Sequence, residues 1–264
     1  MKKKLQQRHY GETKCGEVLH RFFVKADALS GRGVVLDEQA HQLRDVLRLR
    51  AGERIIVLDN HGWEYEVVLS KVGRGEVRGE VAEKRQAGGE PKVRITLYQS
   101  MVSREKFEWV LQKCTEVGVA AFVPVIAQRS IVKGGQEIKV NKLQRWKRII
   151  QEAAEQSHRG LIPELESPIK FEDAAKRIDN SNCWLVGSPQ ADGASLAACL
   201  KDFNCAGGVG LFIGPEGGFT DAEMETLLAR GAKAFSLGKR ILRTETAAVV
   251  ASAIVLYELD PMEV

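Results

Sequence analysis

Two turns in the last quarter of the chain carry residue types and spacings suited to holding a small ligand. Gly208-Val-Gly-Leu-Phe-Ile213 runs into Gly214-Pro-Glu-Gly-Gly218, and Ala234-Phe-Ser-Leu-Gly238 runs into Lys239-Arg-Ile-Leu-Arg-Thr-Glu-Thr-Ala247. Each reads as a short apolar strand, a turn and then a helix. Gly217 and Gly218 tolerate positive φ and let a ligand reach the backbone with no Cβ in the way. Pro215 fixes φ and lacks an N–H, which ends the strand at Ile213 and Gly214. Thr220 or Asp221 then caps a helix with Glu223 and Glu225 in its first turn, as the helix dipole favours. Thr244 stands at the corresponding cap before the apolar run over 247–256. Strand ends with donor-rich turns make a pocket for a small ligand. One such turn is usually a plain connection; two in succession favour a site.

The elements that must position these turns follow from patterning. A chain of 264 residues is long for a single domain, and two is the natural expectation. Residues 1–19 begin Met1-Lys-Lys-Lys-Leu-Gln-Gln-Arg8, with no apolar signal core, and read as a flexible extension. Over 20–88 short strands alternate with tight turns around one helix opened by Asp37, with Ala40, Leu43, Val46 and Leu47 on its core face. That pattern predicts a small β-barrel. Gln86-Ala-Gly-Gly-Glu-Pro91 is the linker. Residues 89–264 then alternate strand and helix, the signature of an α/β sheet. A helix capped by Ser103 carries Phe107, Val110, Leu111, Cys114 and Val117 on one stripe. A longer one over 140–157 buries Leu143, Trp146, Ile150 and Ala154. Asn182-Cys-Trp-Leu-Val-Gly187 with Ser188-Pro189 is a third candidate wall for the pocket.

Composition narrows the class. No apolar run reaches the roughly 18 residues that a membrane span needs. The cysteines, five in number, are scattered without C-x-x-C spacing, which predicts reduced thiols, no zinc site and a cytoplasmic setting. The net charge is +4, and all of the excess lies early: residues 1–88 hold 17 Lys+Arg against 13 Asp+Glu, and residues 89–264 hold 22 of each. That distribution hints at a polyanionic partner, although a basic tail explains much of it. No Ser-His-Asp set or metal cluster competes with the glycine turns for attention.

Gly-Pro-Glu-Gly-Gly followed by Leu-Gly-x-Arg-Ile-Leu-Arg-x-Glu-Thr-Ala resembles the 16S ribosomal RNA uridine-N3 methyltransferase family (RsmE-type), within the knotted SPOUT class of S-adenosylmethionine enzymes. The likeness extends over roughly residues 20–260. Arg21-Phe-Phe23 and the segment from His41 to Arg48 are similar to that family's PUA-like barrel. Gln112-Lys113, Glu116, Gly118, Arg129-Ser130 and Glu152-Ala-Ala-Glu-Gln-Ser157 with Arg159 are similar to its methyltransferase domain. The segment Val102-Ser-Arg-Glu-Lys106, where the family often carries lysines, is given no functional weight.

The resemblance implies a PUA-like RNA-binding barrel followed by a trefoil-knotted α/β domain that binds S-adenosylmethionine, with no metal. It implies N3-methylation of one uridine of small-subunit ribosomal RNA within the assembled subunit. It also implies a cytoplasmic homodimer whose second copy completes the site. The donor would lie against Ile213, Gly214, Gly217, Gly218, Leu237, Gly238, Ile241 and Leu242. RNA would meet Arg21, Arg48, Gln156, Arg159 and Arg240. Arg243 would stabilise the anion formed as uracil N3 loses its proton, and a carboxylate such as Glu216 or Glu245, or water, would take that proton. Arg243 as a clamp on phosphate or on the donor carboxylate stays open beside this. Three further readings remain: a Rossmann-type nucleotide enzyme, which lacks its G-x-G-x-x-G; a non-catalytic RNA-binding protein on a methyltransferase-like scaffold; and a ribose 2′-O-methyltransferase.

Overall fold

The computed structural model describes residues 19–131, 140–179, 182–189, 195–201 and 207–260, so residues 1–18 of the expected extension lie outside it. Two compact units emerge, one from 19–57 and 65–84, the other from 58–64 and 85–260.

The first unit is built on β1 (Arg21–Phe23), β2 (Leu29–Ser30), β3 (Gly33–Val35), β4 (Arg54–Leu58), β5 (Trp63–Val72) and β6 (Val77–Gln86), bonded in the order β1-β4-β5-β6-β3-β2. Period-two alternation puts Ile55 with Val57, and Val67 with Leu69, into a core shared with Phe22, Val34, Leu36 and Val77. The helix expected after Asp37 is not a regular α-helix. It is a 3₁₀ turn, Asp37–Gln39, followed by a five-residue π turn, Gln42–Val46. Ala40 and Leu43 are buried as expected, but Val46 is 63% exposed. The wider π turn carries it past the core face.

The second unit is a parallel sheet of seven strands: β7 (Ile95–Ser100), β8 (Ala121–Ile126), β9 (Glu164–Leu165), β10 (Ile169–Lys170), β11 (Cys183–Gly187), β12 (Val209–Ile213) and β13 (Lys233–Phe235). The order is β10-β8-β7-β12-β11-β13, with β9 also on β8. The helices are α1 (Arg104–Val117), α2 (Val140–Gln156), α3 (Phe171–Ala175), α4 (Leu196–Lys201), α5 (Asp221–Ala229) and α6 (Thr244–Leu259). Alternate strand residues feed two cores. Leu97, Leu185, Leu211 and Ile213 pack with α1, α2, α4 and α6. Tyr98, Val186 and Phe212 pack with α3 and α5. Gly118, at φ 120°, ends α1 where a side chain would be strained.

Two expectations change here. Ala153 joins Trp146, Ile150 and Ala154 as the buried stripe of α2, while Leu143 only packs against it. Cys183 is disulfide-bonded, whereas Cys114 and Cys199 are in no disulfide. Local spacing excludes close C-x-x-C pairs but says nothing of cysteines brought together by the fold. No helix among the described residues is long and apolar enough to cross a membrane.

Candidate functional site

The C-terminal ends of three neighbouring parallel strands, β12, β11 and β13, open onto one cavity of about 530 Å³. This is the place where open α/β sheets bind ligands. Ile213, Gly214, Pro215, Glu216 and Gly218 line it from the turn after β12, and Leu237, Gly238, Arg240, Ile241, Leu242 and Arg243 from the turn after β13. Gly187, Ser188 and Pro189 come from β11, and Lys106 from the first turn of α1.

The first turn is tight for reasons visible in its atoms. Gly218 takes φ 68°, and its N–H donates to the Pro215 carbonyl at 2.9 Å. A Cβ on Gly214 would lie 3.1 Å from the Phe219 nitrogen, so a side chain there would force the turn open. Thr220 caps α5 through a reciprocal box with Glu223, whose buried carboxylate also accepts from the Gln128 N–H at 2.8 Å. The second turn uses Gly238 at φ 100°. Thr244 is the first residue of α6 rather than its cap; Arg243 is the cap, and its side chain makes no capping bond. The Thr244 hydroxyl instead donates to the Gly214 carbonyl at 2.6 Å and accepts from Gln99 Nε2 at 3.2 Å. One buried side chain therefore ties the two ligand-facing turns together.

Of the residues anticipated for the donor, seven line the cavity and Gly217 does not. Gly217 turns outward: its carbonyl accepts from Arg129 Nη1 at 2.7 Å, and the Arg129 side chain occupies the space beside its Cα. Ile241 is 85% exposed at the cavity, an apolar surface fit for covering a flat ring. Among the described residues there is no group of three or more His, Cys, Asp or Glu placed to hold a metal.

Arg243 is exposed and lines the cavity beside Arg240. Glu216 lines it too, but its carboxylate is paired with Lys106 at 2.8 Å. Burial pushes the Glu216 carboxyl up, yet the Lys106 ammonium and a backbone N–H outweigh this and hold it below the usual carboxylate range. A paired carboxylate of that kind is a weak proton acceptor. Its partner Lys106, the cation the sequence reading set aside, is stabilised in its charged form chiefly by the Glu216 hydrogen bond. Nothing local in the sequence marks it, since it comes 110 residues before Glu216.

The residues anticipated for RNA divide. Arg240 is at the cavity; Arg21, half-buried on β1, and exposed Arg48, at φ 58°, belong to the first unit. Gln156 is exposed in a groove with Glu105, Glu108, Glu116 and Glu152, where Glu108 is paired with Arg104 and Arg145 and Glu116 with Lys113. Arg159 is a correction: it is 2% exposed, with Nη2 2.6 Å from Glu90 and Nη1 donating to the Thr115 and Val119 carbonyls. Its guanidinium holds the fold and is closed to a nucleotide.

The chain matches the RNA methyltransferase domain family over residues 89–256 and the RNA methyltransferase PUA domain family over residues 35–82. It is 31% identical to the ribosomal RNA small subunit methyltransferase E of Bacillus subtilis, over 86% of this chain and 90% of that one. It is 36% identical to the protein of the same name from Synechocystis, over 81% of this chain and 69% of that one. The crystal structure of a ribosomal RNA small subunit methyltransferase E from Neisseria gonorrhoeae bound to S-adenosyl methionine is similar at a TM-score of 0.82 and 32% identity, covering 90% of this chain and 97% of that one.

Proposed function

Because this chain belongs to the RNA methyltransferase family that includes the ribosomal RNA small subunit methyltransferases E, we propose that it transfers a methyl group from S-adenosylmethionine to N3 of one uridine in small-subunit ribosomal RNA. The observation that carries the reading is the cavity at the ends of β12, β11 and β13, apolar on the Ile213, Leu237, Ile241 and Leu242 side and cationic at Arg240, Arg243 and Lys106. The donor fits it: a Cβ on Gly214 would crowd the backbone of Gly218 and Phe219 at 3.1–3.3 Å, so this wall keeps its shape with glycine, and the exposed Ile241 offers a cover for adenine.

The donor supplies an electrophilic methyl on a positive sulfonium, so the protein's task is to prepare the acceptor. Uracil N3 is protonated at neutral pH and becomes nucleophilic as the proton leaves, with negative charge spreading onto O2 and O4. A guanidinium at Arg243 favours that anion. It cannot act as the base, because it stays protonated. The PUA-like unit grips RNA, and the assembled small subunit in the cytoplasm is the working substrate. A homodimer completes the site, supported by an apolar cavity of about 1100 Å³ on the face of α6, lined by Ala253, Ile254, Leu256 and Tyr257. The same reading includes a trefoil knot in the stretch that carries the two turns.

Calorimetry tests the donor site directly. The full chain should bind S-adenosylmethionine saturably, one per chain, and Gly214→Val should abolish that heat. Binding that survives Gly214→Val, or a preference for a nicotinamide dinucleotide, counts against the site.

A further inference from the structure

The Lys106–Glu216 pair is left without a role by the account so far. Lys106 Nζ is 2.8 Å from Glu216 Oε1, both side chains are about one-third exposed (33% and 35%), and both line the donor cavity. An ammonium has three donors, and among the described residues Glu216 is the one hydrogen-bond partner of this one. Arg243 and Glu245, at the start of α6, lie within electrostatic reach of Lys106, and Arg240 lines the same cavity. The charged groups within reach of Lys106 are therefore one carboxylate that binds it, a second carboxylate nearby and the Arg243 guanidinium.

We propose that Lys106 is a second cation of the acceptor site: its free N–H donors meet one carbonyl oxygen of the target uracil while Arg243 meets the other flank, and Glu216 holds the ammonium in place. The proposal rests on the uridine-N3 reading and deepens it. In the step it serves, the N3–H bond breaks and its proton passes to water in a pre-equilibrium. The N3 electron pair then forms the bond to the methyl carbon, and the carbon–sulfur pair returns to sulfur, which becomes a neutral thioether. The ring anion is thereby neutralised, so two cations beside it stabilise the state that reacts and not the product. Glu216 is a positioning residue in this scheme and not the base. Two cations flanking O2 and O4 suit a charge spread over a ring.

The opposed signs of two substitutions test it. With full-length protein and assembled small subunits as substrate, Lys106→Met should lower kcat at neutral pH roughly ten- to hundredfold. The rise of kcat with pH should move about one pH unit higher, with donor affinity by calorimetry unchanged. Glu216→Gln keeps a hydrogen bond to the ammonium and removes the opposing charge, so the pH at which kcat rises should move the other way. Subunits assembled on RNA made with 5-fluorouridine, whose N3 is more acidic, should restore most of the Lys106→Met loss. Lys106→Arg should keep the parent profile within a few-fold. The idea is overturned if Lys106→Met leaves kcat within twofold, if it weakens the donor or changes KM alone, or if 5-fluorouridine gives no rescue. A Glu216→Gln profile that loses its rise with pH, or that moves in the same direction as that of Lys106→Met, also overturns it, because the carboxylate would then be taking the proton itself. A parent enzyme that makes no N3-methyluridine brings down the reading and the proposal together, and is seen in the parent alone.

Discussion

At the scale of single residues, Arg243 is the side chain proposed to stabilise the uracil anion. Its backbone caps α6, so its side chain is free of the helix and projects where the two turns meet the cavity. Losing one such charge-stabilising donor costs about 3–4 kcal/mol at the transition state, roughly a hundred- to thousandfold in rate. Arg243→Ala should lose kcat on that scale while calorimetric donor affinity stays within a few-fold. Parallel collapse of donor binding would make it a cofactor clamp instead. The sequence exposed the cavity's residues unevenly. Gly214, Gly218, Gly238 and Arg243 were legible because a turn announces itself through glycine and proline types at fixed offsets. Gly217 was misplaced, because a glycine pair does not say which member faces the ligand; here Arg129 claims one. Lys106 and the double role of Thr244 were invisible, since both depend on contacts between segments far apart in the chain.

At the scale of elements, periodicity recovers the longer strands and helices but not β2, β9, β10, α3 or α4, which span two to six residues and are too short to show a period; it also fails where local winding changes. The π turn at Gln42–Val46 is such a place, since no apolar pattern distinguishes 3.6 residues per turn from a wider coil over five residues. Arg159 shows the complementary failure. A conspicuous arginine after a long helix reads as a nucleic-acid contact, yet it anchors the end of α2 to Glu90 and to the carbonyls of Thr115 and Val119, around the end of α1. Removing one partner of such a buried pair costs about 3–5 kcal/mol. Arg159→Met should therefore lower the melting temperature by roughly 10 °C, with RNA affinity of the folded protein unchanged at low temperature. A variant that melts like the parent but loses RNA would return Arg159 to the interface.

At the scale of the whole molecule, α6 is the element on which the proposed dimer rests. It is apolar almost all round: Ala248, Ala251, Val255 and Leu256 are buried in the second unit, while Ala253 and Tyr257 stay exposed and Ile254 is only half-buried. A helix of this composition needs cover on its remaining side. Sedimentation at micromolar concentration should give twice the chain mass, and Ile254→Glu should give the monomer with the donor site's fold intact. A parent that sediments as a monomer rejects the dimer. The reaction itself is read from its nucleoside product. Purified chain, S-adenosylmethionine and unmethylated small subunits should yield, after digestion and mass analysis, one N3-methyluridine per subunit that is absent without donor. A 2′-O-methylated nucleoside, or no methylated nucleoside at all, would contradict the account.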